Sequence, residues 1–314
     1  MRRSVEYRYS LYGLVLSSQI ECPQLYAYSG DGVPDVIIEK GVVPDITCPG
    51  KREGFLFEAV EHAVMIKTNT IARLLVSDGR HILVQPYTDS SEDDVRMLLL
   101  GWGMGALLHQ QSVLPLHAAV VTAVEGFCIA FCGDSGTGKS TLAAALLRRG
   151  CRLLDDNLSA IVMSGGALHV LPGCPEVKLT KQALGLWPQD WIMDMPFLPC
   201  GDKTGLFMQK HFEHNTQPLG AVFMLSMGGS SAGRIRRLRG AEAFHLLHHH
   251  IFCRQFLAGM GQPARHFETI LHIVNEIPFF SLELSKSKPH PDRLAEMIEE
   301  LLTREICVKS TLKP

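Results

Sequence analysis

The stretch "FCIAFCGDSGTGKSTLAAALLRRG", residues 127–150, constrains the fold of this chain more than any other. Residues 133–140 match G-x-x-x-x-G-K-[ST] in full, with an apolar run before the motif and a helix-forming run after it, the context in which it has physical meaning. Glycine at 133, 136 and 138 lets the backbone curl into a nest of N–H groups at a helix N-terminus, so a strand, an anion-holding loop and a helix are expected in succession. The expected cradle for the phosphates of ATP or GTP is Gly133, Asp134, Ser135, Gly136, Thr137, Gly138, Lys139, Ser140 and Thr141. Lys139 would reach the terminal phosphates and Ser140 is placed for Mg²⁺.

Such a loop needs a carboxylate partner, and "RLLDDN" supplies Asp155 and Asp156 only 16 and 17 residues beyond Lys139. That spacing leaves no room for an intervening switch region, so the next strand carries the acids. Adjacent carboxylates point in different directions, so one can face Mg²⁺ while the other takes a proton from an acceptor hydroxyl. The residues alone do not divide these roles between Asp155 and Asp156.

Residues 5–87 alternate short apolar runs with turn chemistry; "SDGR", residues 77–80, reads as a hairpin turn, and Pro23, Pro34 and Pro44 punctuate the earlier runs. A small β-rich N-terminal region, residues 1–90, is expected. At residue 91 the period changes: Ser91 with Asp94 forms a capping-box variant, and Val95, Leu98, Leu99 and Trp102 recur at helical spacing. Gly101, Gly103 and Gly105 in that helix point to close packing against a neighbour. "LPLHAAVVTAV" and "FCIAFCG" read as two strands around the turn "EG", and "LLRRG" ends a helix at Gly150. Further strands are expected across residues 152–171, at "LGAVFML" and at "FFSLEL", with helices near 241–258 and 264–275 and a final one from about Asp292.

With 46% apolar residues in 314 the chain has ample core, and Lys+Arg 30 against Asp+Glu 32 lacks the basic excess of a nucleic-acid or lipid binder. Nine scattered cysteines without a CxxC pair argue against a disulfide framework and a zinc knuckle, and fit a reducing cytoplasm. No apolar run approaches the roughly 18 residues of a membrane span, and the start "MRRSVEYRYSLYG" is no signal peptide. Neither nucleic acid nor membrane is an expected partner. In "AFHLLHHHIF", His245 and His249 share a helix face but lack a third ligand, so a structural or surface cluster is favoured over a metal site.

The run "LHAAVV…FCGDSGTGKSTLAAALLRRGCRLLDDNLSAI", with His117 sixteen residues before Gly133, resembles the catalytic domain of HPr kinase/phosphorylase, the bacterial serine kinase. Over nearly its full length the chain looks like the HPr-kinase-like proteins of peptide biosynthetic gene clusters, including lasso peptide tailoring kinases. "YGLVLSSQIECPQL", "LLLGWGMGALLHQQSVLPLHAAVV", "LPGCPEVKL" and "IFCRQFLAG" carry that closer match. The resemblance implies an α/β P-loop kinase core of the HPr-kinase/PEP-carboxykinase-like type over residues 91–314, and a β-rich region over 1–90 as a candidate peptide-acceptor site. It implies that Ser140 and Asp156 hold Mg²⁺, that the acidic pair supplies the general base, and that His117 sits beside the transferring phosphate. Lys178, Lys203 and Arg254 fall in matched stretches and are candidate phosphate or acceptor contacts. "VLPGCPEVKL" stands where the bifunctional HPr enzymes carry their signature stretch, so phosphorylase activity is not implied.

The expected function is transfer of a nucleotide phosphate to a serine hydroxyl of a peptide or protein, with a lasso-type precursor as the closest acceptor and a homo-oligomer as a candidate state. The competing readings are a kinase for a free hydroxy amino acid and a nucleotide-binding regulatory protein of a biosynthetic cluster.

Overall fold

The computed structural model describes residues 5–45, 50–52, 55–123, 126–188, 191–192, 197–200, 202–228, 234–285 and 291–311. The fold is mixed α/β, with one large sheet from the first third of the chain and a second that carries the motif loop.

The first sheet contains β1 (Tyr7–Leu11), β2 (Leu14–Ser18), β3 (Tyr26–Ala27), β4 (Val36–Lys40), β5 (Gly50–Arg52), β6 (Phe55–Val60), β7 (Ala63–Thr68), β8 (Ala72–Ser77) and β9 (His81–Pro86). Its order is β3-β1-β2-β4-β9-β8-β7-β6-β5. Burial alternates residue by residue in β7, β8 and β9, so Val64, Ile66, Leu74, Val76, Ile82 and Val84 share one inward face. The β8–β9 hairpin turns at Asp78 and Gly79, both with positive φ (54° and 63°), as the "SDGR" pattern leads one to expect.

Helix α1 (Glu92–Leu98) starts at Ser91, whose hydroxyl accepts from the Asp94 N–H. It runs through a π-helical turn at Leu99–Gly103 into α2 (Met104–Gln110). Close packing of the glycines is found at Gly105, where a Cβ would lie 2.8 Å from the Phe252 ring; at Gly101 nothing lies within 4 Å. The π turn seats Trp102 on Phe55, with ring centroids 3.9 Å apart. The sheet's inward face, α1–α2, Leu158 and Phe256 form one continuous core.

The second sheet is built from β10 (Leu114–Leu116), β11 (Ala118–Thr122), β12 (Cys128–Gly133), β13 (Leu153–Asp156), β14 (Ser159–Ser164), β15 (Ala167–Leu171), β19 (Gln217–Gly228), β20 (Arg234–Arg237) and β21 (Phe279–Ser285). A smaller sheet pairs β16 (Glu176–Thr180), β18 (Lys203–Phe207) and β17 (Phe197–Cys200). Between and after these lie α3 (Lys139–Arg148), α4 (Lys181–Leu184), α5 (Gly240–His249), α6 (Gln255–Gly259), α7 (Phe267–Glu276) and α8 (Pro291–Thr311). The expected β11–β12 hairpin forms; part of its "EG" turn, at Glu125, lies outside the described residues.

The helix expected over 241–258 is broken into α5 and α6. Residues 250–252 leave the helix to lie along the chain before β11: the His117 N–H donates to the His250 carbonyl and the Phe252 N–H to that of Pro115, both at 2.9 Å. Cys253 then turns the chain back with φ 53°.

Candidate functional site

Strand direction gathers the site. β12 and β13 both run antiparallel to β11, while β19 is parallel to β12 and β21 to β19. The carboxyl ends of β12, β13, β19 and β21 therefore share one edge with the start of β11. In open α/β sheets ligands collect at such an edge. Here it opens into a cavity of about 650 Å³. The loop after β12 lines it with Ser135, Gly136, Thr137, Gly138, Lys139, Ser140 and Thr141, and Asp156, Met227, Leu284 and His117 enter from the other strand ends. Lys178 and Lys203 approach from the small sheet, and Gln182, Ala183, Leu186, Pro291 and Leu294 form a more apolar end.

The motif loop needs its glycines. Gly133 has φ 148°, and a Cβ there would lie 2.6 Å from the Leu225 carbonyl oxygen on β19. Gly136 and Gly138 have φ 83° and 102°. No side chain caps α3, so its first N–H groups are left for an anion. Lys139 is 7% exposed and folds back over the loop, its Nζ donating to the carbonyls of Gly133 (2.7 Å) and Asp134 (3.0 Å). Burial lowers its pKa, and Asp156 opposes that shift. Gly133 and Asp134 shape the loop from behind and do not line the cavity.

A β-bulge before the two acids sets which of them faces the cavity. Leu153 lies opposite Val121 but Asp155 opposite Val120, so Leu154 is the extra residue and the alternation of faces slips by one. Asp156 consequently falls on the face of Leu153 and Ala119, toward α3, while Asp155 falls on the opposite face. Asp156 Oδ2 accepts from the Lys178 N–H at 2.9 Å. Burial pushes its pKa up, and the Lys178 N–H, the Ser140 hydroxyl and the ammonium groups of Lys178 and Lys139 pull it down. A buried carboxylate oxygen next to a serine hydroxyl is a donor set suited to a hard cation such as Mg²⁺.

Asp155 is not on the cavity wall. Its Oδ1 accepts from the Leu158 N–H (3.0 Å), and its Oδ2 from the Cys174 N–H (2.9 Å) and the Tyr12 hydroxyl (3.3 Å). Burial raises its carboxyl to about 7, against the two backbone donors that hold it down. Arg254 is exposed, donates to His248 Nδ1 at 3.1 Å, and likewise does not line the cavity.

Sequence reasoning missed Glu176. It is 6% exposed, its Oε2 lies 3.5 Å from Lys178 Nζ, and its Oε1 occupies the place of a Cβ at Gly205. The available signal was the i,i+2 spacing of an acid and a lysine on one strand face. Also missed was His250, whose backbone holds His117. Its pKa is lowered to about 4 by burial, partly offset by Asp134. Among the described residues no three His, Cys, Asp or Glu side chains converge to hold a metal ion.

No family model matches the sequence, and no curated protein matches it. Among solved structures, the Hpr(Ser) kinase/phosphatase from Coxiella burnetii is similar over 63% of this chain and 98% of that one, with 14% identity and a TM-score of 0.32. Among the described residues no helix is long and apolar enough to cross a membrane.

Proposed function

We propose that this chain is an Mg²⁺-dependent phosphotransferase that moves the terminal phosphate of ATP or GTP to a serine hydroxyl of a peptide or protein. The observation that carries this reading is the meeting of the glycine loop, Lys139, the Asp156–Ser140 pair, His117, Lys178 and Lys203 on one cavity. Loop and α3 N–H groups with three ammonium groups offset the charge of the nucleotide phosphates; such positioning and neutralisation is most of what phosphoryl transfer asks of a protein. Asp156 and Ser140 would hold the Mg²⁺, which draws charge from the phosphate oxygens. Among the described wall residues, Asp156 and His117 are the groups able to accept the proton of an incoming hydroxyl.

Residues 91–314 are the catalytic part and residues 1–90 the acceptor region in this reading, with the edge strands β3 and β5 available to an extended peptide by strand addition. The sequence resemblance to kinases of peptide biosynthetic clusters supports a lasso-type precursor peptide as that acceptor.

Titration of the protein with Mg–ATP and Mg–GTP tests the donor half. One of them is expected to bind and be turned over, and Lys139→Ala to lose at least about a hundredfold in turnover. No binding of either nucleotide would remove the reading.

A further inference from the structure

We propose that Asp155 is a positioning residue, and that through it Tyr12, in the turn of the first hairpin, fixes the strand that presents Asp156 to the cavity. This rests on the phosphotransferase reading. The turn between β1 and β2 is Tyr12–Gly13, with φ 54° and 74°. It drives the Tyr12 side chain, 4% exposed, between β13 and the chain that follows β15. There the single proton of the Tyr12 hydroxyl goes to the Leu158 carbonyl at 2.7 Å and is shared with Asp155 Oδ2 at 3.3 Å, and the Tyr12 N–H donates to the Pro172 carbonyl at 2.9 Å.

Gly173 makes the contact possible: a Cβ there would lie 1.6 Å from Asp155 Oδ2 and 2.9 Å from the Tyr12 ring. Two backbone N–H donors, of Leu158 and Cys174, and the shared Tyr12 hydroxyl of the β1–β2 turn thus converge on one carboxyl group. Both its oxygens are engaged behind the strand, with the side chain 2% exposed. The same segment continues to Lys178, whose N–H holds Asp156. Asp155 therefore fastens both attachments of Asp156: its own strand, and the residue 173–178 run that donates to it. A proton acceptor in the reaction must come within hydrogen-bond reach of the incoming hydroxyl, and Asp155 lies on the far face of the bulge.

The test is the kcat and KM of nucleotide turnover, per folded molecule, for Asp155→Asn, Asp155→Ala, Tyr12→Phe and Asp156→Asn. Asparagine keeps part of the hydrogen bonding but cannot take a proton as a base. Asp155→Asn is expected to keep at least about a tenth of the wild-type kcat and Asp156→Asn less than about a hundredth, the range lost with a general base or charge-stabilising group. Asp155→Ala and Tyr12→Phe should lower kcat about tenfold while the nucleotide KM stays unchanged, because the phosphate loop is untouched. Loss in Asp155→Asn equal to that in Asp156→Asn overturns the proposal, and so does wild-type kcat in all the Asp155 and Tyr12 variants. Should the wild-type protein turn over no nucleotide, the phosphotransferase reading falls and amide hydrogen exchange at Lys178 decides the tie. Exchange faster by about tenfold in Tyr12→Phe and Asp155→Ala upholds it, and unchanged exchange refutes it.

Discussion

Gly133 and Gly101 show how differently the same residue type is used in one chain. At Gly133 the obstacle to a side chain is the Leu225 carbonyl of a central strand, which cannot give way, and the backbone sits at φ 148°. Gly133→Ala is expected to cost about 2–3 kcal/mol in urea unfolding, through strain and overpacking together. Gly101 has open space around its Cβ position within the π turn. There alanine should be neutral or stabilising by about 0.5 kcal/mol, from the reduced freedom of the unfolded chain. Equal destabilisation by both substitutions would contradict the described loop geometry.

Between elements, a buried polar tie outside the cavity joins α2 to the turn before α7. His109 Nε2 donates to the Phe252 carbonyl at 2.7 Å, since a carbonyl only accepts, so neutral His109 accepts at Nδ1 and the His266 Nε2–H donates to it at 2.9 Å. Both rings are fully buried, and burial lowers His109 to about 4 and His266 to about 3. The unfolded chain therefore binds the protons that the folded one refuses, from about pH 6.5 down to the folded values. The pair's contribution to stability should fall as pH drops through that window, by about 1.4 kcal/mol per pH unit for each histidine that stays neutral in the fold. Urea unfolding at pH 7.5, 6 and 5, compared between the protein and His266→Asn, reads this directly, because the raised carboxyls of Asp155 and Asp156, which act with the opposite sign, are common to both; the same pH dependence in the two would contradict the buried neutral pair. These elements also show what the sequence could disclose. The hairpin at Asp78–Gly79, the Ser91 cap and the strand–loop–helix around Lys139 were legible because each depends on neighbours a few residues away. The break between α5 and α6 was not, because its cause is pairing with residues 115–117, more than a hundred positions earlier in the chain. Which of Asp155 and Asp156 faces the cavity was hidden for the same reason: a bulge exists only relative to the partner strand.

At the scale of the whole molecule, the first sheet and the elements that follow it share hydrophobic core. Tyr12, Leu74 and Val84 lie in the same cluster as Leu107, Leu158 and Phe256, and a Cβ at Gly259 on α6 would lie 2.3 Å from the Ala59 carbonyl on β6. Removal of residues 1–90 would expose the inner faces of α1, α2 and α6, so the remainder is expected to lose cooperative unfolding in calorimetry. A truncated chain with an intact sharp transition would show that the two parts are energetically separate. Phosphoryl transfer to serine is tested most directly by intact-mass analysis of a peptide ending in serine after incubation with the full chain, Mg²⁺ and ATP or GTP. The predicted result is a mass increase of one phosphate on the serine, absent with Lys139→Ala and with Asp156→Asn. Phosphorylation that persists in both variants, or nucleotide turnover with no phosphate on any serine-containing peptide or protein offered, would contradict it.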